Sequence, residues 1–81
     1  MSSILFSMAA LAVRREAERQ GSNGMPHRER DLECLAEALC ICAKHEQPCY
    51  QWITLKNEYK GLIETLRGDV RNAIDMLEGN C

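Results

Sequence analysis

The side chains best suited to chemistry in this chain are crowded into one short stretch: Cys34, Cys40, Cys42, His45 and Cys49. Thiolate sulfur and imidazole nitrogen are the ligands zinc prefers, in a tetrahedral set of four. A zinc-stabilised module would draw on Cys42, His45 and Cys49, with a fourth ligand from elsewhere. Cys34 cannot join them, because on a helix it lies roughly 12 Å from Cys42 along the axis, whereas a zinc-bound sulfur sits about 2.3 Å from the ion. No paired C-x-x-C knuckle occurs. The simpler assignment makes Cys34 and Cys42 small apolar residues of a helix face and His45 a last-turn cation favoured by the helix dipole. On that assignment no metal or cofactor is expected.

The same stretch also holds a thiol, an imidazole and a carboxylate in Cys42, His45 and Glu46, the residue types of a nucleophile, its base and an orienting group. Neighbours on a single helix have neither a pocket nor oxyanion donors around them, so no catalytic residues are assigned. Glu58, Glu64, Asp69 and Asp75 are interspersed with Lys56, Lys60, Arg67 and Arg71. Pairing three and four residues apart on a solvated helix face accounts for that pattern.

Such side chains need a scaffold, and 81 residues, 46% hydrophobic and 27% charged, make one small domain. A core of that size is marginal without a disulfide, a metal or a partner. Ten Lys and Arg against twelve Asp and Glu give a net charge of −2, so there is no basic field for nucleic acid. The longest apolar run, from Ile4 to Val13, is interrupted by Ser7 and falls short of the roughly 20 residues of a membrane span. Arg14-Arg15-Glu16 follow that run and only Met1-Ser2-Ser3 precede it, the reverse polarity of a secretory signal. Five cysteines, an odd number with three of them in a helix-like pattern, then read as thiols in a reducing cytoplasm.

The periodicity predicts an all-α fold of three helices: an antiparallel hairpin of the second and third, and a more mobile N-terminal amphipathic helix. The first helix covers about 3–20, with Ser2 or Ser3 as N-cap. Ile4, Leu5, Met8, Leu11 and Ala12 fall on one face, which Phe6, Ala9 and Val13 widen. A linker follows at 21–26, where glycine, serine and asparagine precede Pro26. The second helix runs over about 27–45, on a stripe of Leu32, Leu35, Leu39 and Cys42 flanked by Ala36 and Ala38. After a turn at Glu46-Gln47-Pro48, the third covers about 49–78 on Trp52, Leu55, Tyr59, Leu62, Ile63, Leu66, Val70, Ala73, Ile74 and Leu77. Gly61 and Gly68 each cost about 1 kcal/mol in a helix interior and place a kink near Gly68-Asp69.

At 1.5 Å per residue the second helix is roughly 25 Å long and the third roughly 40 Å, which leaves an apolar overhang. The first helix, a second copy of the chain or another protein could cover it. The first helix itself carries more apolar surface than one stripe buries, which points to a partner's groove. The ridge Gly61, Thr65, Gly68 and Asn72 would admit a close helix neighbour, although an ordinary surface ridge explains it as well.

From Leu35 to about Leu77 the order is helix, short turn with Pro48, then Tyr50-Gln51-Trp52 opening an apolar-striped helix. This resembles the small helical-hairpin co-chaperones of bacterial type III secretion needle subunits, whose second helix often opens with a similar Tyr-Gln dipeptide. The resemblance implies a cytoplasmic protein that pairs with a tetratricopeptide-like co-chaperone and keeps a needle subunit from polymerising. It implies too that Tyr50, Trp52, Leu55 and Tyr59 belong to the hairpin core or its partner face. The expected function is therefore non-catalytic: an adaptor or co-chaperone that masks apolar helical surface through Leu5, Phe6, Met8, Leu11, Trp52, Leu55, Tyr59 and Leu62. A homodimeric helical bundle of the phage or plasmid regulator kind and the zinc-stabilised module are the alternatives.

Overall fold

Two apolar stripes that mix alanine with larger aliphatic side chains create the main helix pair. Phe6, Ala9, Ala10, Val13 and Ala17 recur at three- and four-residue spacing, and Leu32, Leu35, Ala36, Ala38, Leu39 and Cys42 do the same on the next segment. All of them are buried, and the small side chains let the two backbones approach closely. A computed structural model describes residues 2–66 and 68–79. In it the chain is all-α, in the order α1 (Ser2–Ser22), α2 (Pro26–His45), α3 (Tyr50–Glu58), α4 (Lys60–Thr65) and α5 (Asp69–Gly79). The expected three helices are thus five among the described residues.

α1 and α2 are antiparallel neighbours: Arg14 reaches Cys40, Ser7 and Ala10 face Ala43, and Gly21 lies against Glu29. The reversal is tighter than the linker expected at 21–26. Gly21 and Ser22 remain in α1, and Pro26 already occupies the first turn of α2, where its missing N–H costs nothing. The turn at 23–25 closes through Asn23 N–H to Arg19 and Gln20 carbonyls and Met25 N–H to Gln20 O, with Gly24 at φ 81°. α2 ends in a Schellman pattern, with Gln47 N–H on Cys42 O at 3.3 Å and Glu46 N–H on Ala43 O at 3.4 Å. Glu46 takes the left-handed position, at φ 56°, that glycine usually fills.

The expected third helix is broken twice. At Tyr59 (φ −102°, ψ 27°) the axis changes while hydrogen bonding nearly continues, since Tyr59 N–H reaches Leu55 O and Ile63 N–H reaches Tyr59 O. The second break is complete: Leu66 is extended (ψ 150°) and Gly68 is left-handed at φ 64°, where the sequence placed a kink. Length explains both breaks. A continuous helix of roughly 40 Å would outrun a molecule whose longest Cα dimension is 35 Å. Broken, the segment lays α3 against α2 and returns α5 along α1. The overhang is covered from within the chain.

Two further expectations are corrected by this arrangement. The principal hairpin joins α1 to α2 and not the second helix to the third, and α1 is a core element with five buried residues, Phe6, Ala9, Ala10, Val13 and Ala17. Trp52, Ile63, Leu66, Val70, Ile74 and Leu77 close the core from the other side. Among the described residues no polar or charged side chain is buried, and no helix is long and apolar enough to cross a membrane.

Candidate functional site

With 100° per residue, the core-facing positions 6, 9, 10, 13 and 17 of α1 leave 4, 8 and 11 on its opposite side. Ile4, Met8 and Leu11 are accordingly 63%, 51% and 52% exposed. They form an apolar strip along a helix whose other face is packed against α2 and α5. Beside the strip runs a groove between α1 and α2, lined by Ser7, Ala10, Leu11, Arg14, Cys40 and Ala43. The Arg14 guanidinium spans it, 3.9 Å from Cys40 Sγ, and sets a positive rim next to the apolar floor.

The structure divides the eight residues expected to bind a partner. Met8 and Leu11 face outward. Leu5, Leu55, Tyr59 and Leu62 are half-buried and packed on the core. Phe6 and Trp52 are core residues, 5% and 4% exposed, so neither can meet a partner while the domain stays folded. Their aromatic rings are too large for the surface of so small a domain when an aliphatic core is there to take them. The negative charge of the nearby Asp31 carboxylate pushes the Tyr59 pKa above the ordinary phenol value.

The sequence put Ile4, Leu5, Met8, Leu11 and Ala12 on one face; the structure turns Ile4, Met8 and Leu11 outward and packs Leu5 and Ala12 on the core. A signal for the right grouping was present. Extended toward the C-terminus, the 4–8–11 strip meets Arg15 and Glu18, which are exposed, while the 6–10–13 stripe meets Ala17, which is buried. Residue size alone does not sort the faces of α1, because Ala9, Ala10 and Ala17 are buried while the bulkier Ile4, Met8 and Leu11 are exposed.

The second arrangement lies at the α2–α3 junction. Cys42 Sγ donates to Cys49 Sγ at 3.0 Å, and Cys49 N–H donates to Cys42 Sγ at 3.1 Å. Cys49 is the N-cap of α3, its sulfur accepting Trp52 N–H at 3.3 Å, and it lies 3.6 Å from Ala38 O. Burial, and then the hydrogen bond to Cys49, push the Cys42 thiol up to about 11. Cys42 is therefore protonated at neutral pH and a poor nucleophile on its own. Of the three ligands of the zinc alternative, two meet and His45 does not join them. Its ring is exposed in the last turn of α2, and among the described residues no three His, Cys, Asp or Glu side chains converge to hold a metal ion. Cys34 is half-buried and Cys40 exposed, while Cys81 lies outside the described residues.

A third, open cleft is lined by Lys56, Lys60, Glu64, Arg71 and Asp75 along α3, α4 and α5. Arg71 is held there by Asp75, with Nε 3.2 Å from Oδ1, and by the Ile63 carbonyl at 3.4 Å. Such a pair, four residues apart, is the solvated charge ladder the sequence suggested. Comparison with protein families, curated proteins and solved structures gives no match to this chain.

Proposed function

We propose that this protein is a non-catalytic interaction module of the adaptor or co-chaperone class, which masks an apolar helix of a protein partner against the outward face of α1. The exposed strip of Ile4, Met8 and Leu11 carries this reading. Single exposed apolar residues are ordinary, but an aligned set on a rigid helix offers a contiguous patch. A partner helix laid along it would bury side chains at matching three- and four-residue spacing, with Arg14 and Arg15 at the rim selecting acidic neighbours. The specific form suggested by the sequence resemblance has a type III secretion needle subunit and a tetratricopeptide-like co-chaperone as partners, in the cytoplasm. The α1 face supports the general adaptor reading, while the specific form rests on the sequence resemblance alone, whose hairpin is made here of shorter helices.

The test is capture from the source cell by tagged wild-type protein and by a Met8→Asp, Leu11→Asp variant, with circular dichroism to verify that the variant stays helical. The reading expects a stoichiometric protein partner that the folded variant loses. Equal capture by both would remove α1 from the interface. Recovery of the chain alone as a dimer, dissociated by the same substitutions, would replace the adaptor with the homodimeric bundle.

A further inference from the structure

We propose that Cys42 and Cys49 form a reversible intramolecular disulfide by exchange with a low-molecular-weight disulfide such as oxidised glutathione, and that this bond locks the turn between α2 and α3. The proposal rests on the junction alone and stands whether or not α1 binds a partner. Its basis is geometric. The two sulfurs are 3.0 Å apart, so a side-chain adjustment of about 1 Å brings them to bonding distance. The junction is already ordered around them. Cys49 N–H is on Cys42 Sγ, Trp52 N–H is on Cys49 Sγ, and the left-handed Glu46 brings the chain back toward α2. No other thiol pair among the described residues is recorded in such contact: Cys34 is half-buried on α2, and Cys40 faces Arg14 across the groove.

The positions of the two thiols assign their roles. Cys49 is the partly exposed member and the one met by an N–H of the first turn of α3, so it attacks first. After losing its proton to water, Cys49 Sγ bonds to one sulfur of the glutathione disulfide. That S–S bond breaks, and its electron pair leaves on the first glutathione thiolate, which takes up a proton. Buried Cys42 then gives up its proton and attacks Cys49 Sγ of the mixed disulfide. The bond to glutathione breaks and the second glutathione leaves as a thiolate, to be protonated in turn. Two protein thiols are oxidised by two electrons, and one glutathione disulfide is reduced to two thiols. Cys42 never has to meet the oxidant. Its high pKa makes the second attack the slow step and one that accelerates with pH.

Reduced, the turn is held by hydrogen bonds to sulfur; oxidised, it becomes a closed ring that fixes the start of α3 and the buried Trp52 on α2. The experiment equilibrates the full chain in glutathione buffers of increasing oxidised fraction, blocks free thiols and maps the cross-links by mass spectrometry, with melting curves in parallel. The expected product is one chain lighter by two hydrogens, linked between 42 and 49, restored by reduced glutathione, and melting roughly 5–15 °C higher than the reduced form. Cys49→Ser separates the bond from the cap, since the serine oxygen still accepts Trp52 N–H. This variant should keep the reduced melting temperature within a few degrees of wild type and lose the oxidative rise. Glutathione confined to Cys40, a cross-link between other cysteines, or a Cys42–Cys49 bond that leaves melting unchanged would each overturn the proposal.

Discussion

α1 and α2 hold their helices for 21 and 20 residues, whereas the chain that follows is cut into helices of nine, six and eleven. Apolar spacing does not separate the two regions, because both repeat at three and four residues. Partners do. α1 and α2 have matching lengths of about 30 Å and lie against each other, while the third segment has no equal partner and must turn back to bury what lies beyond α2. The apolar stripe survives both breaks because each piece restarts on the same core. Continuity of a stripe therefore reports a shared core and not a single rod.

The largest expected effect lies where the two regions share that core. Leu39→Ala empties a fully buried site in α2 and should cost about 2–5 kcal/mol in urea unfolding. The half-buried Leu62→Ala on α4 should cost clearly less, and equal losses would end the distinction between a dense pair and a looser cover. Next comes the junction. Cys42 titrates above its ordinary value of 9.0, at about 11, so its contribution is intact below pH 9 and lost as pH rises toward 11. The loss should be of order 1–2 kcal/mol beyond the background titration of lysines and tyrosines, and absent from a Cys42→Ala chain.

The sharpest check on the break itself is a difference in sign. Gly68→Ala forces a left-handed position and should destabilise by about 1 kcal/mol, whereas Gly61→Ala, inside α4 and facing open space, should stabilise by about 0.5–1 kcal/mol. If both stabilised, the third segment would be one helix after all. The smallest effect belongs to Arg71→Ala, which removes a partly exposed pair with Asp75 and should cost no more than about 0.5 kcal/mol, less at high salt.

The all-α class, the reversal before Pro26 and the turn after His45 were legible in the sequence, because each follows from local spacing or from glycine and proline chemistry; at Gly68 the sequence placed a kink in a continuous helix where the structure has a full break. The break at Tyr59 was not legible, since no residue there opposes a helix and only the length of α2 demands a change of axis. Of the residues expected to meet a partner, Met8 and Leu11 are exposed, whereas Phe6 and Trp52 are buried in the core. A sequence shows that an aromatic residue will be buried somewhere, not whether its own domain or a partner buries it. The sequence joined Cys42 and Cys49 as metal ligands with His45; what it did not show is that the two thiols meet without the histidine, across a turn in which Glu46 takes the left-handed conformation.

The alanine contact between α1 and α2 divides α1 into two unequal sets of positions. At Ala9 and Ala17, 0% and 1% exposed, added volume must displace core neighbours, so substitution there is limited by packing. Ile4, Met8 and Leu11 are more than half exposed, so the core limits their size and polarity far less. A library spread over α1 should therefore separate cleanly, with protease resistance governed by the first set and partner choice by the second. New binding preferences can be selected on this helix without renegotiating the fold that carries it.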